Sequence, residues 1–154
     1  TDLWVFTRPQ ADADRLAPEV ERSLREAYGG SGLGGVDLDY SDSRAQVIGD
    51  RTLYLIPGTD GETICLHVQE AGAGTAGSCN PRSVLATFGA IPLVGNDVYS
   101  AVVGNGYDRV TVPGLGDFAI HDNVFSVPLP DRPVKAITLS GPIGTLRIST
   151  FGHR

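Results

Sequence analysis

The sequence predicts an α+β domain: an N-terminal strand and helix packed on an antiparallel sheet, followed by a β-rich, sandwich-like C-terminal half. Three observations carry this reading. Helical spacing is sustained over one long segment, at about residues 14–28. Twenty glycines and ten prolines in 154 residues demand many turns and short elements. From about residue 98 onward, short apolar segments alternate with turn signals roughly every 8–12 residues, the spacing of a sandwich or barrel.

Leu3-Trp4-Val5-Phe6 reads as a short strand stopped by Thr7-Arg8-Pro9. The acid-rich Gln10–Asp14 then suits a helix start. Leu16, Val20, Leu24 and Ala27/Tyr28 form one apolar stripe, with Pro18 in the first turn, Gly29 at the C-terminal cap and Glu21–Arg25 as an i,i+4 pair. Residues 29–35 are a glycine-rich loop or a close backbone approach. Ala45–Ile48 and Thr52–Ile56 flank Gly49-Asp50-Arg51 as a hairpin, and Pro57–Gly61 turns the chain into a strand over 62–69. Residues 45–69 are thus expected to be a three-stranded meander.

A glycine-rich loop follows, with Gly72, Gly74 and Gly77 giving the chain slack to return Cys79 towards Cys65. Its Gly-x-Gly-x-x-Gly pattern is not a dinucleotide site, because that motif needs a helix opening within the glycines. Here Ser78-Cys79-Asn80-Pro81 intervene, and Asn80-Pro81 is expected to open a short helix ended by Gly89. Ile91–Val94 reads as an extended connector. Beyond it, Tyr99–Val103 and Arg109–Val112 flank Gly104-Asn105-Gly106, a hairpin signal. Phe118–Ile120 and Val124–Val127 flank His121-Asp122-Asn123, and Val134–Ser140 and Thr145–Thr150 flank Gly141-Pro142-Ile143-Gly144. The simplest organisation is one domain, 1–154; a subdivision would separate an α+β part, 1–95, from an all-β part, 96–154.

The chain's only cysteines, Cys65 and Cys79, are candidates for a disulfide. Closing a loop of about 15 residues stabilises by roughly 3 kcal/mol, less any strain. Two reduced buried thiols are the bland alternative, and a reactive Cys65 beside His67 on one strand face is the third. His121 adjoins Asp122, so a small secreted hydrolase using His121 or His67 is one functional alternative; no Gly-x-Ser-x-Gly elbow accompanies either. His153 lies in the C-terminal tail. Asp37, Asp39 and Asp42 could supply carboxylate oxygens to calcium, but the EF-hand spacing is missing, and an acidic turn is the commoner use of such a cluster. No cofactor motif is present and none is expected.

A net charge of −6 and a pI near 4.9 disfavour nucleic-acid binding, which needs clustered cations. Eleven of the 12 basic residues are arginine; the one lysine is Lys135. The chain has no methionine, which fits removal of an export leader, in agreement with a disulfide, and fits equally well an N-terminus trimmed for another reason. No apolar run approaches the roughly 20 residues that span a membrane.

Several segments taken together resemble a set of uncharacterised extracytoplasmic proteins of high-GC actinobacteria. They are Phe6–Gln10 with Ala13–Leu16, Leu53–Gly58 with Ile64-Cys65-Leu66, Gly77-Ser78-Cys79, Val110–Val112 and Asp122–Phe125. The resemblance implies an extracytoplasmic location and carries no assigned activity. The expectation is a non-catalytic extracytoplasmic module that binds an unknown protein or cell-envelope ligand or serves a structural role. A calcium-dependent module and the hydrolase are its alternatives.

Overall fold

The N-terminal Leu-Trp-Val-Phe segment is helical, contrary to the expected strand: α1 spans Trp4–Thr7. The cause is remote in sequence. The first-turn N–H groups of a helix lack internal acceptors. Here the Trp4 N–H donates to Asn105 Oδ1 at 2.7 Å and the Val5 N–H to Asn123 Oδ1 at 2.9 Å. Two further helices follow, α2 (Pro18–Tyr28) and α3 (Ser83–Phe88). The computed structural model describes residues 3–28, 37–71, 74–95, 97–132 and 134–150. The expected cap at Gly29 and the glycine loop 29–35 lie outside them.

The chain divides into two compact units, Thr1–Val5 with Ser83–Arg154, and Phe6–Arg82. The possible subdivision between residues 95 and 96, drawn from the strand pattern, falls inside the first of these.

In Phe6–Arg82, four strands form an antiparallel sheet in sequence order: β1 (Arg44–Ile48), β2 (Arg51–Pro57), β3 (Thr63–Glu70) and β4 (Gly74–Pro81). The expected three-stranded meander gains a strand because the supposed glycine loop is β4, with Cys79 directly opposite Cys65. Asn80 and Pro81 finish this strand and do not open a helix. Helix α2 starts at Pro18, later than expected; Asp12–Asp14 is a separate 3-10 turn. Val20 and Leu24 of α2 are buried against Tyr54, Ile56 and Cys65 on one face of the sheet, with Leu38 and Tyr40 beside them. Burying each aliphatic side chain stabilises by about 2 kcal/mol. Leu53, Leu55, Ile64 and Leu66, on the opposite face, are buried as well.

The other unit is an antiparallel β-sandwich. One sheet has the order β5-β6-β9, from β5 (Ala90–Val94), β6 (Val98–Val103) and β9 (Val124–Pro128). The other has the order β11-β10-β7-β8, from β7 (Arg109–Val112), β8 (Gly116–Ala119), β10 (Ala136–Gly141) and β11 (Gly144–Ser149). Alternate residues of both sheets meet in one core: Tyr99, Ala101 and Val103, Phe125 and Val127, Val110 and Val112, Ile137 and Leu139. The Tyr99 ring stacks on Phe125 at 5.9 Å. The expected connector Ile91–Val94 is part of β5.

The expected hairpin across Gly104-Asn105-Gly106 does not form. β6 pairs with β5 and β9, while β7 pairs with β8 and β10. Residues 104–108 instead carry the chain from one sheet to the other. Gly141 packs against that corner so closely that a Cβ would sit 2.8 Å from Tyr107 Cα and collide with the Gly106 carbonyl. The Asp108 N–H bonds the Ser140 carbonyl at 3.0 Å. The second corner is a two-residue turn closed by His121 and Val124, with Asp122 and Asn123 at φ 50° and 67°. Asn and Asp are the residues that tolerate this left-handed backbone. Asn123 Nδ2 then donates to the Val103 carbonyl and to Asn105 Oδ1, so the same side chain holds both corners and α1.

Candidate functional site

Cys65 and Cys79 form a disulfide between directly opposed residues of β3 and β4, Cα atoms 4.1 Å apart. Cys65 is buried beneath α2, so a reactive thiol at that position is replaced by a structural cross-link. His67, two residues on, shares that face. It lies opposite Tyr54 and Gly77 and is only 6% exposed, with its Nε2 buried and without a hydrogen-bond partner. Loss of water from the imidazole lowers its pKa below the ordinary value. The ring is therefore held neutral, an unprotonated imidazole inside an apolar layer.

This has a consequence for stability. The unfolded chain takes up a proton on His67 near pH 6.5, whereas the folded chain resists it until the pH is lower. Acidification from pH 7.5 to 5.5 should therefore reduce stability. In His67→Gln the loss over that interval should be smaller. Urea denaturation of both proteins at the two pH values checks this, and equal losses would show that His67 is not the group responsible.

His121 is exposed in the turn between β8 and β9. Neither His67 nor His121 is hydrogen-bonded to a carboxylate or a hydroxyl among the described residues. The hydrogen-bonded relay that orients a hydrolytic histidine is thus not assembled around either. His153 lies outside the described residues.

The three aspartates proposed for calcium serve separate local tasks. Asp37 Oδ2 accepts from Thr59 Oγ1 at 3.0 Å. Asp39 caps the 3-10 turn Tyr40–Asp42, accepting from the Ser41 N–H and hydroxyl. Asp42 Oδ1 pairs with Arg44 at 2.8 Å. Among the described residues no three His, Cys, Asp or Glu side chains come together as a metal site. No described helix is long and apolar enough to cross a membrane.

The residues that sequence reasoning missed lie on the sandwich. An open groove of about 730 Å³ runs at one end of the sheet β11-β10-β7-β8. Pro113 reaches it from the β7–β8 turn, Pro130 and Arg132 from the β9–β10 loop, and Lys135, Thr138 and Arg147 from β10, its approach and β11. The core takes Ile137 and Leu139 of β10, which leaves Thr138 outward; Arg147 is directly opposite Thr138 and is outward too. A smaller hollow continues along Lys135, Ala136, Arg147 and Ser149. The loop backbone is fixed at this end: the Thr150 N–H bonds the Lys135 carbonyl at 2.9 Å and the Thr150 hydroxyl bonds the Val134 carbonyl.

The charge pattern is unusual for a chain of net charge −6. Arg8, Arg15, Arg25, Arg44, Arg51 and Arg109 each ion-pair with a carboxylate. Arg132, Lys135 and Arg147 have no ion-pair partner among the described residues, and all three line the groove, where Asp131 is the single carboxylate. A signal for this existed in the sequence. The Gly141–Gly144 turn sets the β10–β11 register, and counting back from it places Arg147 beside Thr138, near Lys135. Nothing in the composition, however, marks those cations as unpaired. Known protein families, curated proteins and solved structures offer no match to the chain.

Proposed function

We propose that the chain is a non-catalytic extracytoplasmic binding module. Its ligand surface is the outer face of the β11-β10-β7-β8 sheet, and its partner is a cell-envelope component or a protein. The groove carries the reading. Cations left unpaired on a hydrogen-bonded sheet form a prepared surface for a ligand of opposite charge. The buried disulfide supports the location, because such bonds persist in oxidising compartments.

The test is made on intact source cells. A membrane-impermeant amine-reactive reagent should label the chain before lysis, together with known surface proteins. Labelling only after lysis would place the chain inside the cytoplasm and overturn the extracytoplasmic reading.

A further inference from the structure

We propose that the groove holds a linear polyanion, a chain carrying phosphate or carboxylate groups at intervals, through Arg132, Lys135 and Arg147; this rests on the binding-module reading above. Three features point to that ligand class. The first is sign: three cations face one carboxylate, on a molecule whose overall charge is negative. Elsewhere Arg8, Arg15, Arg25, Arg44, Arg51 and Arg109 each meet a carboxylate, so among the described residues a cluster of unpaired cations is local to this groove.

The second is shape. The groove is open and continues into a second hollow that shares Lys135, Ala136 and Arg147. Its cations come from the β9–β10 loop, including Lys135 directly before β10, and from the middle of β11. They do not converge as a closed cage for one small ion would. An extended ligand with repeated charges can meet them in turn.

The third is donor chemistry. Two guanidinium forks suit the paired oxygens of a phosphate or carboxylate, the lysine adds a point charge, and the outward Thr138 hydroxyl offers one more donor. The Asp131 carboxylate and the chain's overall negative charge oppose a ligand as densely charged and rigid as duplex nucleic acid.

The full chain should be titrated at low and moderate salt with two fluorescently labelled probes, short-chain inorganic polyphosphate and a carboxylated oligosaccharide. Binding of either supports the proposal, and which one binds more tightly identifies the anionic group. The affinity should fall as salt rises. Lys135→Glu with Arg147→Glu should weaken binding by about tenfold or more, since two contacts become repulsive. Arg22→Glu is the control, because Arg22 on α2 also lacks a carboxylate partner among the described residues but is not a groove residue. It changes net charge by the same sign and should leave binding nearly unaltered.

Both variants change exposed side chains, and a melting curve of each checks that it folds. Equal weakening by the control and groove variants would reduce the effect to net charge and overturn the site. Failure of both probes to bind at millimolar concentration would overturn the ligand class. Failure of the cell-labelling experiment would instead remove the extracytoplasmic location while leaving groove binding measurable.

Discussion

Asp14→Ala is expected to destabilise the Phe6–Arg82 unit by about 3 kcal/mol. Asp14 is 2% exposed and its carboxylate is fully engaged. Oδ2 accepts from Arg8 at 2.6 Å and from the Ala11 N–H at 2.7 Å. Oδ1 accepts from the other Arg8 nitrogen at 2.8 Å and from the Ala45 N–H at 3.0 Å. The Asp14 carbonyl accepts from the Ser43 hydroxyl. One residue therefore joins the 8–11 turn to the start of β1. Truncation takes the carboxylate from a guanidinium that keeps its bond to the Pro9 carbonyl and strands two backbone donors, and it is the stranded donors that are costly. The Arg8 side chain is 30% exposed and can rehydrate in part, which keeps the figure at the low end for a broken ion pair.

Asp14→Asn should cost nearly as much, because its amide NH2 would face donors and not acceptors. Urea denaturation with unchanged slope gives the difference directly. A loss under about 1 kcal/mol would mean that water replaces these bonds at little cost. The same carboxylate sets an acid limb. Its hydrogen bonds to Arg8, with help from the Ala45 and Ala11 amides, hold the pKa well below the ordinary carboxylate range. Below about pH 4 the unfolded carboxyl binds a proton that the folded one refuses. The stabilisation is thus complete above that pH and is lost as the pH falls towards the folded value. Asp14→Asn should lack this limb while keeping the separate loss due to His67 at higher pH.

Replacing both cysteines, Cys65→Ala with Cys79→Ala, is expected to cost about 3 kcal/mol, or roughly 6–12 °C in Tm. The loop closed by the bond spans 14 residues of sequence separation. The dependence should be strong because β4 has little else to hold it. Its sequence, Gly-Thr-Ala-Gly-Ser-Cys-Asn-Pro, is poor in strand-forming residues, and Thr75, Ala76 and Gly77 are exposed. Cys79 packs against the α2 core. Without the bond, glycines that gain most from disorder would be free to leave the edge of β3. Thermal denaturation of the double variant, and of wild type under reductant, checks this. An unchanged Tm in both would mean that the β3–β4 ladder alone secures the strand.

Elements with a local cause could be read from the chain. The α2 stripe of Val20 and Leu24, the two-residue turns at Gly49-Asp50 and Pro142-Ile143, and the alternation of the sandwich strands all follow from neighbours in sequence. The cysteine pairing was also legible, since only one intramolecular pairing existed. The reading failed wherever a distant partner decided the conformation. Leu3–Phe6 reads as a short apolar strand, yet Asn105 and Asn123 accept from the first N–H groups of a helix there. β4 reads as a loop, yet the open edge of β3 and the bond from Cys65 recruit it. The Gly104–Gly106 turn reads as a hairpin, yet the two strands beside it belong to different sheets.

The candidate groove shows the same division. Its cations were visible as residue types, but being unpaired is a property of position, set by which carboxylates lie within about 4 Å. By itself the sequence determined that this chain is α+β, that its second half is built of short strands of sandwich or barrel type, and that its two sulfurs can close one loop. Periodicity, turn chemistry and chain closure all act over short range. Only the tertiary structure decided which glycine segment is a strand, where the N-terminal turn finds its hydrogen-bond acceptors, and which three cations are left facing solvent together. Those outcomes depend on side chains up to 118 residues apart, and local pattern carries no information about them.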